Sequence, residues 1–236
     1  MIKAIGSRAA AAGLDVRAWL YDHNYNGTNR VLRCLGDAEL MKNVGGVAWH
    51  PYEGEPEWIA PLKAEFPDVR MMVTEMGPNV GRKVRPMAYW GDAVLRAINA
   101  GCAGFTSWCV ALDEEGQPNV SLGFPCAGLI EIHSETQAVT PSGQLDFFRH
   151  LGPFVRRGAK VLDAPLVLGP KLRNRETRGL VHTAFRNPDG SHVVVFAHNT
   201  KVPNRNPPKI QVQIKLGGKY LPVQVFRDAV TTVVLR

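Results

Sequence analysis

The stretch VRMMVTEMGP, residues 69–78, sets a single acid, Glu75, at the end of an apolar run and closes it with Gly77 and Pro78. A short apolar run bounded by turn formers reads as a buried strand of a parallel sheet. Glu75 then stands at the strand's carboxyl end, where α/β sheets and barrels collect their ligand-binding groups. A lone acid in that place calls for partners on the neighbouring strands.

The same pattern repeats on both sides. VRAWLYDHNY (16–25) reads as a strand and TNRVLRCLGDAELMKNV (28–44) as the helix after it. GGVAWHPYEG (45–54) is a second strand, followed by the helix EPEWIAPLKAEF (55–66). Beyond VRMMVTEMGP comes the helix RPMAYWGDAVLRAINAG (85–101), stopped by Gly101, and then a fourth strand, AGFTSWCVALD (103–113). Each strand ends in a polar or aromatic cluster: Asp22 with His23, His50 with Tyr52, Glu75, and Trp108. Taking one residue from each cluster, Asp22, His50, Glu75 and Trp108 lie 28, 25 and 33 positions apart. That interval is close to the length of one strand-helix-strand unit, about 30 residues. The clusters therefore gather at one end of a parallel sheet.

After about residue 160 the pattern changes. GLVHTAFRNPDGSHVVVFAHN (179–199) holds two strand-like runs around NPDG, a hairpin signal, and KIQVQIKLGGKYLPVQVF (209–226) and AVTTVVLR (229–236) continue the alternation. The expected organisation is an α/β region over 1–160 and a small antiparallel β-domain over 161–236, with TKVPNRNPPK (200–209) as a loop.

Composition narrows the function classes. The formal charge is +7, but the densest basic runs, RRGAK (156–160) and PKLRNRETR (170–178), interleave no aromatics. They read as a solvated face, and no nucleic-acid partner is expected. Cys34, Cys102, Cys109 and Cys126 lack CxxC spacing and a matching His pair, so buried free thiols are expected and a zinc site is not. No run approaches the roughly 18–20 apolar residues of a membrane span. MIKAIGSRAAAAGL (1–14) lacks the core of a secretory signal, which gives a cytoplasmic expectation.

With these strand ends in view, the chain resembles the C-terminal half of the catalytic barrel of glycoside hydrolase family 30, the glucosylceramidase-like retaining β-glycosidases. The words that carry the resemblance are LYDHNYN (20–26), GVAWHPYEG (46–54), VTEMGP (73–78), TSWCVALDEEGQPN (106–119) and FRHLGPFVRRGAKVL (148–162). VFRDAVTTVVLR (225–236) is similar to the end of the family's appended β-domain.

The resemblance implies an incomplete (β/α) TIM-type barrel of four to five parallel strands, with Glu75 on the nucleophile position. The family's acid/base lies in an Asn-Glu pair, and that dipeptide does not occur in this chain. Glu53, on the loop after His50, is the first candidate to replace it, ahead of Asp113, Glu114 and Glu115. A neighbouring subunit is another source. Asp22, His23, His50 and Tyr52 are expected to line the site, and Trp108 to form a floor for a sugar ring. Trp49, pointing away from His50, is expected in the core. The structural alternative for Glu75 is an ion pair with a neighbour such as Arg82.

The expected activity is exo-hydrolysis of β-linked hexosides, of β-glucosidase or β-galactosidase type, without metal or organic cofactor because both roles are carboxyl chemistry. A carbohydrate-binding remnant is the alternative reading, and an inactive fragment a third. Open sheet edges call for cover, and the expectation is a homo-oligomer, with residues 1–14 added against one edge.

Overall fold

The computed structural model describes residues 1–77, 85–121, 123–124, 126–167, 177–200 and 209–236. Arg82, most of the 170–178 basic run and the loop centre at 201–208 lie outside the described residues. The chain forms two compact units, Met1–Met76 with Ala97–Trp108, and Gly77–Arg96 with Cys109–Arg236.

In the first unit, α1 (Ile2–Ala11) precedes β1 (Ala18–Asn24), α2 (Thr28–Leu35), α3 (Ala38–Met41), β2 (Val44–His50), α4 (Ala60–Glu65) and β3 (Met71–Val73). Helix α5 (Met87–Asn99) runs through both units and leads to β4 (Cys102–Phe105). The strands form a four-stranded parallel sheet in the order β1-β2-β3-β4. Val47, Ala48, Trp49, Met71 and Val73 fill its core, each 0–1% exposed, because an all-parallel sheet is covered on both faces.

Local chemistry sets the boundaries. The single helix expected over 28–44 is two helices, because Asp37 caps a new one: its carboxylate accepts the Leu40 N–H at 3.0 Å. Gly101 turns the chain out of α5 at φ 109°, where a Cβ would also run into Lys63. Helix α1 packs Gly6 against Asn43 and pairs Lys3 with Asp37 at 2.7 Å, so within the unit it joins the α3–β2 corner.

The second unit contains β5 (Ala111–Leu112), β6 (Ile130–Ile132), β7 (Val139–Pro141), α6 (Gly143–Leu151) and β8 (Lys160–Leu162). It continues with β9 (Leu180–Arg186), β10 (His192–His198), β11 (Lys209–Leu216), β12 (Lys219–Phe226) and β13 (Ala229–Leu235). The run expected as one strand over 103–113 is divided between β4 and β5, which belong to different sheets. Antiparallel pairing orders four strands as β13-β10-β9-β8, and β11 pairs with β12 alone.

The NPDG hairpin forms as its residues dictate: Arg186 faces His192, the Ser191 carbonyl accepts the Asn187 N–H at 2.8 Å, and Gly190 takes φ 85°. Ala184, Val194, Phe196, Ile210, Val212 and Val225 make the apolar core of these strands. Among the described residues no helix is long and apolar enough to cross a membrane.

Candidate active site

Each strand of the parallel sheet delivers one part of the site at its carboxyl end. Glu75 lies two residues beyond β3, its side chain 22% exposed: held by its surroundings yet open to a ligand. His50 ends β2 and is 13% exposed, with Nδ1 3.8 Å from Glu75 Oε2. Its Nε2 stands 3.1 Å from Asp22 Oδ1, near the end of β1. The same Asp22 oxygen accepts the Thr74 hydroxyl at 2.6 Å. One imidazole therefore stands between two carboxylates, hydrogen-bonded to Asp22 and 3.8 Å from Glu75, and Thr74 ties the third strand to the first.

Asp22 reaches this place through an irregular backbone. Tyr21 and Asp22 have φ 77° and 56°, a left-handed pair without glycine. Tyr21 faces Ala48 while His23 faces Trp49, so Asp22 is the extra residue of a bulge between β1 and β2. Bulges re-aim a side chain, and left-handed backbone in non-glycine residues costs of order 1–3 kcal/mol, a pattern that concentrates at functional sites. The Thr74 hydroxyl first, and then the His50 hydrogen bond and the charges of His50 and His23, hold the Asp22 carboxyl below its ordinary 3.8, against an opposing effect of burial. With Asp22 ionised, His50 Nε2–H is the donor of that bond, and Nδ1 is left facing Glu75.

Aromatic rings surround the triad. His23 lies 6.0 Å from the His50 ring, and Tyr52 meets His50 edge-on at 6.0 Å. Tyr52, about half exposed, is fixed through its N–H, which donates to Asn24 Oδ1 at 3.3 Å. Trp49 is fully buried against Tyr21 and Tyr25, in the core as its alternation with His50 requires. Trp108, half-buried, donates its N–H to the Met76 carbonyl at 3.1 Å, which joins the exit of β4 to the segment carrying Glu75.

The candidate proton donors fare differently. Glu53 is exposed and accepts the Asn26 side-chain amide at 2.7 Å, so its loop is tied to the end of β1. Glu114 belongs to the second unit, where it accepts the Ser134 hydroxyl at 2.6 Å and the Ser134 N–H at 2.9 Å. Ser134, helped by backbone N–H groups and by His133, brings its carboxyl down to about 2, so it stays ionised where a general acid must hold a proton. Asp113 closes a turn through the Glu115 and Gln117 N–H groups, at 3.0 and 2.7 Å.

Sequence reasoning missed Thr74, Asn24 and Asn26. Asn24 and Asn26 alternate with Asp22 along LYDHNYN, and that period of two was the available signal. Among the described residues no group of three or more His, Cys, Asp or Glu could hold a metal ion.

Endo-1,6-beta-D-glucanase of Neurospora crassa is 24% identical over 237 residues, covering 98% of this chain and 47% of that protein. The solved structure of the endo-beta1,6-glucanase BT3312 matches with TM-score 0.81 at 23% identity, over 99% of this chain and 52% of its own. The catalytic domain of GH30 xylanase C from Talaromyces cellulolyticus matches with TM-score 0.69 at 16% identity, over 100% of this chain and 55% of its own. The chain has a partial glycoside hydrolase family 30-like fold. No protein-family model matches it. It spans about half the length of the curated relatives it matches. Within the family 30-like fold, the parallel strands carry the Asp22–His50–Glu75 array, and the antiparallel strands supply the β-domain.

Proposed function

We propose that this chain carries the nucleophile side of a retaining β-glycosidase acting on β-linked hexosides. The observation that carries the reading is the Glu75 carboxylate at the end of β3, 3.8 Å from an imidazole that is itself anchored on Asp22. Glu75 attacks the anomeric carbon, the glycosidic carbon–oxygen bond breaks, and a glycosyl ester forms that water later hydrolyses. Asp22 and Thr74 position His50 beside the attacking oxygen, and Trp108 and Tyr52 offer ring faces to the sugar's C–H surface. Glu53 is the first candidate to protonate the leaving oxygen, and an acid from a second copy of the chain is the next.

The enzyme acts on the ends of chains, with β-glucosidase or β-galactosidase selectivity. Relatives named for endo-β-1,6-glucan cleavage make an internal β-1,6-glucosidic bond the competing substrate. The test is hydrolysis of nitrophenyl β-glucoside and β-galactoside by the purified chain beside Glu75→Gln. Nitrophenolate departs without protonation, so the substrate tests the nucleophile separately from the acid. Hydrolysis lost in Glu75→Gln supports the proposal; no hydrolysis above that variant overturns it. The missing Asn-Glu dipeptide favours one second reading, a carbohydrate-binding remnant. In that case saturable sugar binding persists without turnover.

A further inference from the structure

The second unit holds a cavity of about 520 Å³, lined by Met87, Asp146, Arg149, His150, Phe154 and Thr232. Its wall is built by close packing. A Cβ on Gly143, at the start of α6, would meet the backbone of Arg85, Pro86 and Met87, so only glycine lets the start of α5 approach there. Phe154 stands just past the end of α6 with 39% of its surface exposed. Met87 and Phe154 give the cavity apolar lining, and Asp146, Arg149, His150 and Thr232 give it polar lining.

The polar lining offers a defined set of donors and acceptors. The Thr232 hydroxyl spends its one hydrogen on the His150 carbonyl at 2.9 Å. It must then accept from His150 Nδ1, 3.2 Å away, which fixes the tautomer and leaves Nε2 as an acceptor. Arg149 donates to Asp146 Oδ1 at 3.0 Å, one turn apart on an exposed face. Such a pair contributes little to the fold, so its donors and acceptors are free to be shared with a ligand.

A phenyl ring, a guanidinium, a carboxylate and an imidazole acceptor lining one cavity are chemistry suited to vicinal hydroxyls on a C–H face, and the volume lies in the range of small-molecule sites. We infer that this cavity is a second carbohydrate subsite, taking one hexose unit of a glucan. The inference rests on the reading of the chain as a carbohydrate-active protein.

Gentiobiose, a β-1,6-linked diglucose, would be titrated into the ¹⁵N-labelled full chain and followed by amide shifts. Saturable shifts at His150, Phe154 and Thr232 are expected, equal in the parent and in Glu75→Gln. Phe154→Ala and Arg149→Met should each weaken that binding about tenfold or more, with nitrophenyl glucoside hydrolysis unchanged. Shifts confined to the ends of β1–β4, or folded variants that bind as well as the parent, overturn the subsite. Glycerol moving the same amides in the same way does so too, because the cavity would then hold any small polyol. Loss of hydrolysis with the α6 shifts intact defeats the enzyme reading alone; the converse defeats the subsite alone.

Discussion

At the scale of the residue, Asp22 is informative because its environment gives it one task. It receives the Thr74 and His50 hydrogen bonds and lies on a bulge that holds it there. Its folded pKa is depressed, so the anchor is fully formed above pH 3.8 and is lost only as pH falls through the lower folded value. Asp22→Ala frees the imidazole beside Glu75 and should lower kcat on nitrophenyl β-glucoside by about 10- to 100-fold, with little change in KM. An unchanged kcat would remove Asp22 from the positioning role. Glu114 gives a second residue-scale outcome. Its carboxyl, followed by carbon NMR, should titrate near 2, and Ser134→Ala should return it toward the ordinary 4.5. A parent midpoint already at the ordinary value would contradict the Ser134 bond. Glu75, Asp22 and His50 were legible in sequence because each ends an apolar run. Thr74 was not, because a threonine inside such a run is indistinguishable from a β-branched strand former.

At the scale of the element, Gly91 shows where packing overrides propensity. Gly91 sits inside α5, where alanine would ordinarily stabilise the helix by about 0.5–1 kcal/mol. A Cβ there would lie 2.7 Å from the Ala197 Cβ, with Val230 and Phe147 close behind. Overpacking costs about 1–3 kcal/mol, more than the propensity gain, so Gly91→Ala should lower the denaturation midpoint. A raised midpoint would show that the contact relaxes freely. The four parallel strands and the 186–192 hairpin were visible from period and turn chemistry. Strands β6 and β7 were not, because at three residues each they are too short to show alternation, and β5 was read as the end of the strand before it. The break between α2 and α3 carried a signal, Gly36 followed by Asp37, that helical periodicity on either side obscured.

At the scale of the whole molecule, the spacing of strand ends in sequence carried the parallel order, and the change to strict alternation after residue 160 carried the antiparallel sheets. The order β1-β2-β3-β4 leaves β1 and β4 as the outer strands of the parallel sheet. Edges of this kind invite pairing, and we propose that copies of the chain cover them for one another. Sedimentation at micromolar concentration should give a species larger than the 25.9 kDa chain; a strict monomer would contradict the proposal. Incubating the chain with an activated 2-deoxy-2-fluoro-β-glucoside slows breakdown of the glycosyl ester, and peptide mass spectrometry then locates the sugar. A glycosyl ester on Glu75 predicts the adduct on the peptide containing Glu75 and its loss in Glu75→Gln. An adduct on another carboxylate, or none, would contradict it.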